Sequence, residues 1–421
     1  MSSEGHKTLK GRTMYIPEMC WGSAKLVAAA FGAVGIDSDV VPHSNDSTLE
    51  MGRECTSGEE CYPQQVTVGD FLGVLQRGEK KAHEVAFFMP RAEGPCRFGQ
   101  YTYLIRKILA QKGYGEAYVF SPTSEDNYKE MGGAATDLER RIWQALVTAN
   151  TLRTFFLKTR PYEKTAGTCD RIYEEEIISF QKVLKNPAFN AKKRRELLAE
   201  ALEEAVARFK QVPVHAGDFP KIGVIGEIFV RQNPFSNDDF IRKLEGHGAE
   251  AILTGIPEWV AYTRSEEQRK LRDVKRHFSK AMLTSKIRGY IQKSDEHSIR
   301  GRFHDELKGI YAEPEIESLM KLGEWYLPQY GALGEMALNA ANVVHFYNQG
   351  ADGVVDLSPF SCMNGIISEA VYPKISRDHD GFPVRIFYFD GTQSNLDRDI
   401  GIFMELVRNY QRKKKSAKCL S

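Results

Sequence analysis

Short apolar strand signals alternate with helical periodicity along this chain, and the alternation runs twice. The first pass opens with Thr13-Met-Tyr-Ile-Pro17, a helix from Ser23 to Val34 stopped by Gly35, and a short strand at Asp39-Val-Val41. It continues with Val85-Ala-Phe-Phe-Met89, a helix over Tyr101 to Gln111 and Ala117-Tyr-Val-Phe120. The second pass restarts at the apolar run Lys221 to Val230, then Ala251 to Thr254, Gly353 to Leu357 and Val384 to Phe389. Strands separated by helices cannot pair as hairpins. They pair in parallel, and their helices cover both faces of the sheet. The pattern therefore predicts an α/β chain with two Rossmann-like parallel-sheet domains.

Residues 135–158, 171–210 and 262–325 are charged and periodic at helical spacing, without strand punctuation, so each domain is expected to carry a helical insertion. The Pro- and Gly-containing stretch Val212 to Pro220 marks the expected boundary. The predicted division is 12–215, 216–410 and a basic tail, 411–421. A length of 421 residues suits two or three domains. No exact internal repeat is visible.

Lys plus Arg is 57 and Asp plus Glu is 56, a net charge of +1. That balance gives no general reason to expect nucleic acid or an anionic membrane as partner. Arg412-Lys-Lys-Lys415 reads as a solvated tail. Mean hydropathy is −0.41 and no apolar run reaches membrane-spanning length. The start, Met1 to Gly11, has no apolar signal core, so a cytoplasmic location is expected.

There are seven cysteines, and no two are separated by the two-residue gap of a zinc knuckle or redox dithiol. Reduced thiols are the expectation. Cys61, Cys96 and Cys362 share one setting, Gly- and Pro-rich loops at or near a helix start. In open α/β sheets ligands bind beyond the carboxyl ends of the strands. Loops there also offer backbone N–H groups to negative charge, as an iron–sulfur cluster's sulfurs require. The competing reading is that each is a small buried hydrophobe. Cys20, in Glu18-Met-Cys-Trp21, follows a strand but reads as structural. Cys55, six residues before Cys61, is a weaker ligand candidate. Cys169 and Cys419 are not expected to be ligands.

Other signatures are missing. There is no phosphate loop, no Gly-x-Ser-x-Gly elbow and no His-Glu-x-x-His. Gly223-Val-Ile-Gly226 reads as a packing feature rather than a dinucleotide fingerprint. Two polar segments follow apolar strands: Gly226 to Arg231 with Asn233-Pro-Phe-Ser-Asn237, and Phe389 to Asn395. Asn233, Asn237, Asp390 and Asn395 fit capping and turn roles. Glu227 interrupts an apolar run, so Glu227 and Arg231 are expected either to form a buried pair or to line an interdomain cleft.

Several strings together carry a resemblance. They are Tyr15-Ile-Pro17, Thr56-Ser-Gly-Glu-Glu-Cys-Tyr-Pro63, Phe87-Phe-Met-Pro90, Gly94-Pro-Cys-Arg-Phe-Gly-Gln-Tyr101 and Arg160-Pro-Tyr162, followed by Gly223 to Arg231, Asn233 to Asn237, Ser358-Pro-Phe-Ser-Cys362 and Phe389-Asp-Gly391. In this order they resemble proteins related to 2-hydroxyacyl-CoA dehydratases and their activases, and more narrowly the C-terminal half of large activase-related fusion proteins. The resemblance runs from about residue 13 to 400. It implies two α/β domains with a [4Fe-4S] cluster in the cleft between them. The ligands by motif position would be Cys61, Cys96 and Cys362, and one iron would stay open to water or a substrate oxygen.

The ATPase half of the fusion proteins has no counterpart here. A separate ATP-hydrolysing activase is therefore the expected electron source. Double-cubane relatives use more thiolates, for which Cys20 and Cys55 are the spare candidates. Dehydratase or reductase chemistry on an acyl-CoA follows from kinship alone. Glu227, Arg231 and Asn364 are the groups expected near the cluster. Two other classes of function stand beside this one: an accessory electron-relay subunit without turnover, and a cluster-free binding protein. A homodimer is the expected assembly by base rate.

Overall fold

The computed structural model describes residues 8–92, 94–123, 128–329, 334–392 and 395–420. The chain divides into two compact units. The first takes the chain up to Leu152 with Ile172–Ala207 and Arg276–Arg302. The second takes Arg153–Arg171, Arg208–Lys275 and Phe303–Ser421. Each unit is built on a four-stranded, wholly parallel sheet, as the alternation of strands and helices predicts.

In the first unit β1 (Thr13–Ile16), β2 (Ser38–Val40), β3 (Val85–Phe88) and β4 (Tyr118–Phe120) stand in the order β2-β1-β3-β4. Neighbouring strand residues point to opposite faces. Phe87 stacks on Phe71 of the helix Tyr62–Gln76 with ring centroids 4.1 Å apart. Phe88 meets Phe31 of the helix Trp21–Ala33 edge-on at 5.3 Å. β3 is therefore apolar on both faces and buried throughout, the signature of a central parallel strand.

In the second unit β5 (Lys221–Gly226), β6 (Glu250–Leu253), β7 (Gly353–Pro359) and β8 (Val384–Phe389) stand in the order β6-β5-β7-β8. A Cβ on Gly223 would lie 2.5 Å from the Phe346 ring, so this glycine serves packing, as its sequence suggested. The apolar run from Lys221 does not continue as strand to Val230. Gly226 turns with φ +121, where a Cβ would meet the Leu357 carbonyl oxygen at 2.2 Å. Glu227 then caps a short helix, Ile228–Gln232.

The helical stretches pack by buried ion pairs. Asp295, on the helix Lys280–Arg300, is fully buried and accepts from Arg140, Gln144 and Arg195. The run Arg412–Lys415 lies within the helix Leu396–Leu420. Lys414 donates to the Gly350 carbonyl at 2.9 Å and pairs with Asp352, and Lys415 pairs with Asp218 at 2.7 Å. Two of these lysines are thus engaged by the second unit rather than simply solvated. Among the described residues no helix is long and apolar enough to cross a membrane.

Candidate functional site

Both sheets change direction of build-up between their first and third strands, β1 and β3 in one, β5 and β7 in the other. Ligands of doubly wound sheets bind outside the carboxyl ends at such a switch point. Cys20 follows β1, Cys96 follows β3 and Cys362 follows β7. Each occupies the residue that opens a helical segment, with extended backbone and no side-chain cap bond. Cys61 opens the helix Tyr62–Gln76 in the same way. That helix leads back to the start of β3, so its first turn also lies toward the carboxyl edge. The six described cysteines are all free thiols.

In the first unit the Cys61 and Cys96 loops are joined. The Glu60 carboxylate gathers the Ser57 N–H, the Ser57 hydroxyl and the Gly58 N–H at 2.9 to 3.1 Å. Arg97 donates Nη1 to the Glu59 carbonyl at 2.5 Å. Cys61 is buried and Cys96 half-buried. Cys55 packs against the same apolar cluster as Cys61, alongside Phe98. Behind them the helix Asp46–Arg53 lies hard against Tyr62–Gln76. A Cβ on Gly69 would sit 1.7 Å from the Thr48 carbonyl oxygen. Asp70, buried on that helix, accepts the Ser44 and Thr48 hydroxyls at 2.7 and 2.8 Å. Burial pushes its carboxyl up to about 7 against those two bonds. Glu18, just after β1, is buried and meets His43 Nδ1 at 2.8 Å.

In the second unit the structure brings Glu227, Arg231 and Cys362 into one electrostatic neighbourhood, with Asn364 two residues along from the thiol. Glu227 accepts the Phe229 and Val230 N–H groups at 3.0 and 2.8 Å. Arg231 is fully buried. Its Nη1 donates to the Gly226 carbonyl at 2.9 Å, while Nε and Nη2 have no hydrogen-bond partner. Asn364 is buried with its Oδ1 unpartnered, directly beside Gly334, where a Cβ would come within 2.2 Å. Three further carboxylates surround Arg231. Glu335 accepts the Ile228 N–H at 2.9 Å. Glu258 accepts Asn342 Nδ2 at 3.1 Å. Asp356 accepts Ser358 Oγ at 2.7 Å and the Tyr372 hydroxyl.

One cation thus serves four carboxylates. Burial raises all four, with Arg231 opposing. Glu258 reaches about 7, and Glu335 rises well above the usual carboxylate range because Glu227 also repels its charge. Burial likewise pushes the Cys362 thiol up to about 12. The Gly365 and Asn364 N–H groups favour its thiolate, and Glu227 and Glu335 oppose it. The arrangement can keep a proton on a carboxyl group beside a thiol. Its unused Arg and Asn atoms can meet a polar ligand. Ser361, just before Cys362, holds the left-handed conformation at φ +61, which favours glycine.

The remaining sequence candidates are structural. Asn233 Oδ1 accepts the Ser236 N–H, and Asn237 bonds Val230 and Phe240 backbone, so both cap turns. Asp390 closes its turn onto Thr392 at 2.8 Å. Gln393 and Ser394, within the Phe389–Asn395 segment, and the Cys419 side chain lie outside the described residues. Cys169 is fully buried within the helix Thr168–Lys185. Sequence reasoning missed Glu335, Glu258 and Asp356. Asp356 interrupts the apolar run Gly353 to Leu357 much as Glu227 interrupts its own, and that signal was readable. Among the described residues, no group of three or more His, Cys, Asp or Glu side chains stands at metal-binding spacing. No protein-family model matches the chain. No curated protein matches it either.

Proposed function

We propose that this chain is an iron–sulfur protein in which Cys61, Cys96 and Cys362 hold a [4Fe-4S] cluster, two ligands from the first unit and one from the second. The observation that carries this reading is the common post of the three thiols. Each opens a helix or helical turn at a carboxyl edge, where backbone N–H groups gather. The donor set fits the group, since free thiols with N–H donors nearby are what cluster sulfurs require. Such a cluster supplies low-potential one-electron transfer and, with an open iron, a Lewis acid for a substrate oxygen.

The chain's own residues would do the rest. Asn364 and Gly365 direct N–H groups at Cys362. Glu227 and Glu335 keep a proton close by, and Arg231 and Asn364 offer unused polar atoms to a bound group. These buried acids favour reductive or dehydratase chemistry over a relay subunit, which needs no acid–base group; an acyl-CoA substrate rests on the sequence resemblance alone. An ATP-hydrolysing activase on another chain would deliver the electron.

The test is iron and acid-labile sulfide on protein purified without oxygen. About four of each per chain supports the three-cysteine site, and Cys96→Ala should abolish incorporation while Cys169→Ala retains it. About eight of each would bring in Cys20 and Cys55. Absence of iron, or equal iron in both variants, would sink the assignment.

A further inference from the structure

The helix Lys280–Arg300 turns a largely polar face inward and apolar side chains outward. Ser285, Gly289, Gln292 and Asp295 are buried between Met282 and Ile299, the two apolar residues of the inward face. Leu283, Ile287 and Tyr290 are 60%, 52% and 77% exposed, and Phe278, just before the helix, is fully exposed. Spacings of four and three residues put the outward three on one face, forming an apolar rail.

The helix cannot roll over to hide that rail. Asp295 is held by Arg140, Gln144 and Arg195, and Trp143 Nε1 donates to the Gln292 carbonyl at 2.9 Å.

Charge decides what covers it. No Asp or Glu occurs between Val274 and Ser294, while Lys275, Arg276, Lys280, Lys286, Arg288 and Lys293 do. Arg288 is engaged by Glu139 at 2.9 Å, and Arg276, Lys280, Lys286 and Lys293 are exposed. On the helix Lys280 flanks the rail on one side, and Lys286 and Lys293 flank it on the other. Symmetric pairing with a second copy would set lysine against lysine. A run of cations around apolar side chains suits an anionic bilayer surface, which offers phosphates to the lysines and an apolar boundary to the rail.

We infer that this rail docks the protein on a bilayer rich in anionic phospholipid. Phe278, Leu283, Ile287 and Tyr290 enter the headgroup boundary, and the lysines meet phosphates. The whole-chain charge balance conceals this segment. The inference does not depend on the cluster.

The experiment is flotation of the full chain with phosphatidylglycerol–phosphatidylcholine vesicles and with phosphatidylcholine alone. Association with the anionic vesicles alone, weakened by salt, is expected. Lys280→Glu with Lys286→Glu should lower the bound fraction by at least about tenfold. Leu283→Asp with Ile287→Asp should do the same, while Arg412→Glu with Lys413→Glu should not. All six substituted side chains are exposed, so circular dichroism and thermal midpoint should match the parent. No flotation, equal flotation on both vesicles, or flotation unaffected by the rail variants would overturn the inference. So would a doubled solution mass by light scattering that Leu283→Asp abolishes, since a second copy would then cover the rail.

Discussion

Arg97 donates from Nη1 to the carbonyl oxygen of Glu59 at 2.5 Å. The residue after Cys96 is thereby fastened to the residue two before Cys61. Two thiols 35 positions apart in sequence are thus held in one loop assembly. Arg97→Ala should cost the fold only about 1 kcal/mol, the ordinary worth of such a bond. It should nonetheless lower the iron retained after gel filtration. Unchanged iron with an unchanged thermal midpoint would show that the loops hold themselves.

Gly69→Ala tests the helix pair behind Cys61. The new Cβ would fall 1.7 Å from the Thr48 carbonyl oxygen, a backbone atom that can yield only by moving its helix. A loss of about 2 to 3 kcal/mol in urea unfolding is expected. A loss under about half a kcal/mol would mean that the two helices slide freely.

Asp70 sets a pH dependence. Its folded carboxyl sits at about 7, above its ordinary 3.8. The folded state therefore binds the proton more tightly, and this group's contribution is fully present below about pH 4 and lost as pH rises through about 7. Asp70→Asn should flatten the thermal midpoint over that window. A profile as steep as the parent's would assign the slope elsewhere.

Arg231→Met removes the cation that four buried carboxylates share. Breaking a buried ion pair costs about 3 to 5 kcal/mol. The loss should be larger at pH 8 than at pH 5, because the carboxylates are already raised and accept protons in acid. Equal losses at both pH values in urea unfolding would mean that Arg231 acts by packing alone.

Much of the fold was legible because parallel strands are apolar on both faces and helices are not. The run Val85 to Met89 announced a strand, and Phe87 and Phe88 do pack to opposite sides. Glu227 was legible for the opposite reason, as a charge where an apolar run should continue. Partnership was not legible. Asp295 finds Arg140 across 155 positions, and no periodicity in either segment records that pairing. Glu335 was equally hidden, since an acid in a first helical turn is ordinary and only its burial beside Glu227 sets it apart. The inverted helix shows the same limit. Its cations could be counted in the sequence, but which face it turns inward could not.

The identical strand order of the two sheets gives the chain an internal comparison. At the loop after the first strand, one copy of the scaffold carries Cys20 and the other Glu227. At the head of the helix entering the third strand, one carries Cys61 and the other Gly334-Glu335. After the third strand both carry a thiol, Cys96 and Cys362. At these three positions the same order of strands carries three thiols in the first unit and two carboxylates with one thiol in the second. The two acids are not bare replacements for sulfur, because Glu227 caps its helix and Glu335 holds the Ile228 N–H, so in the second unit the same posts carry charge and local structure together.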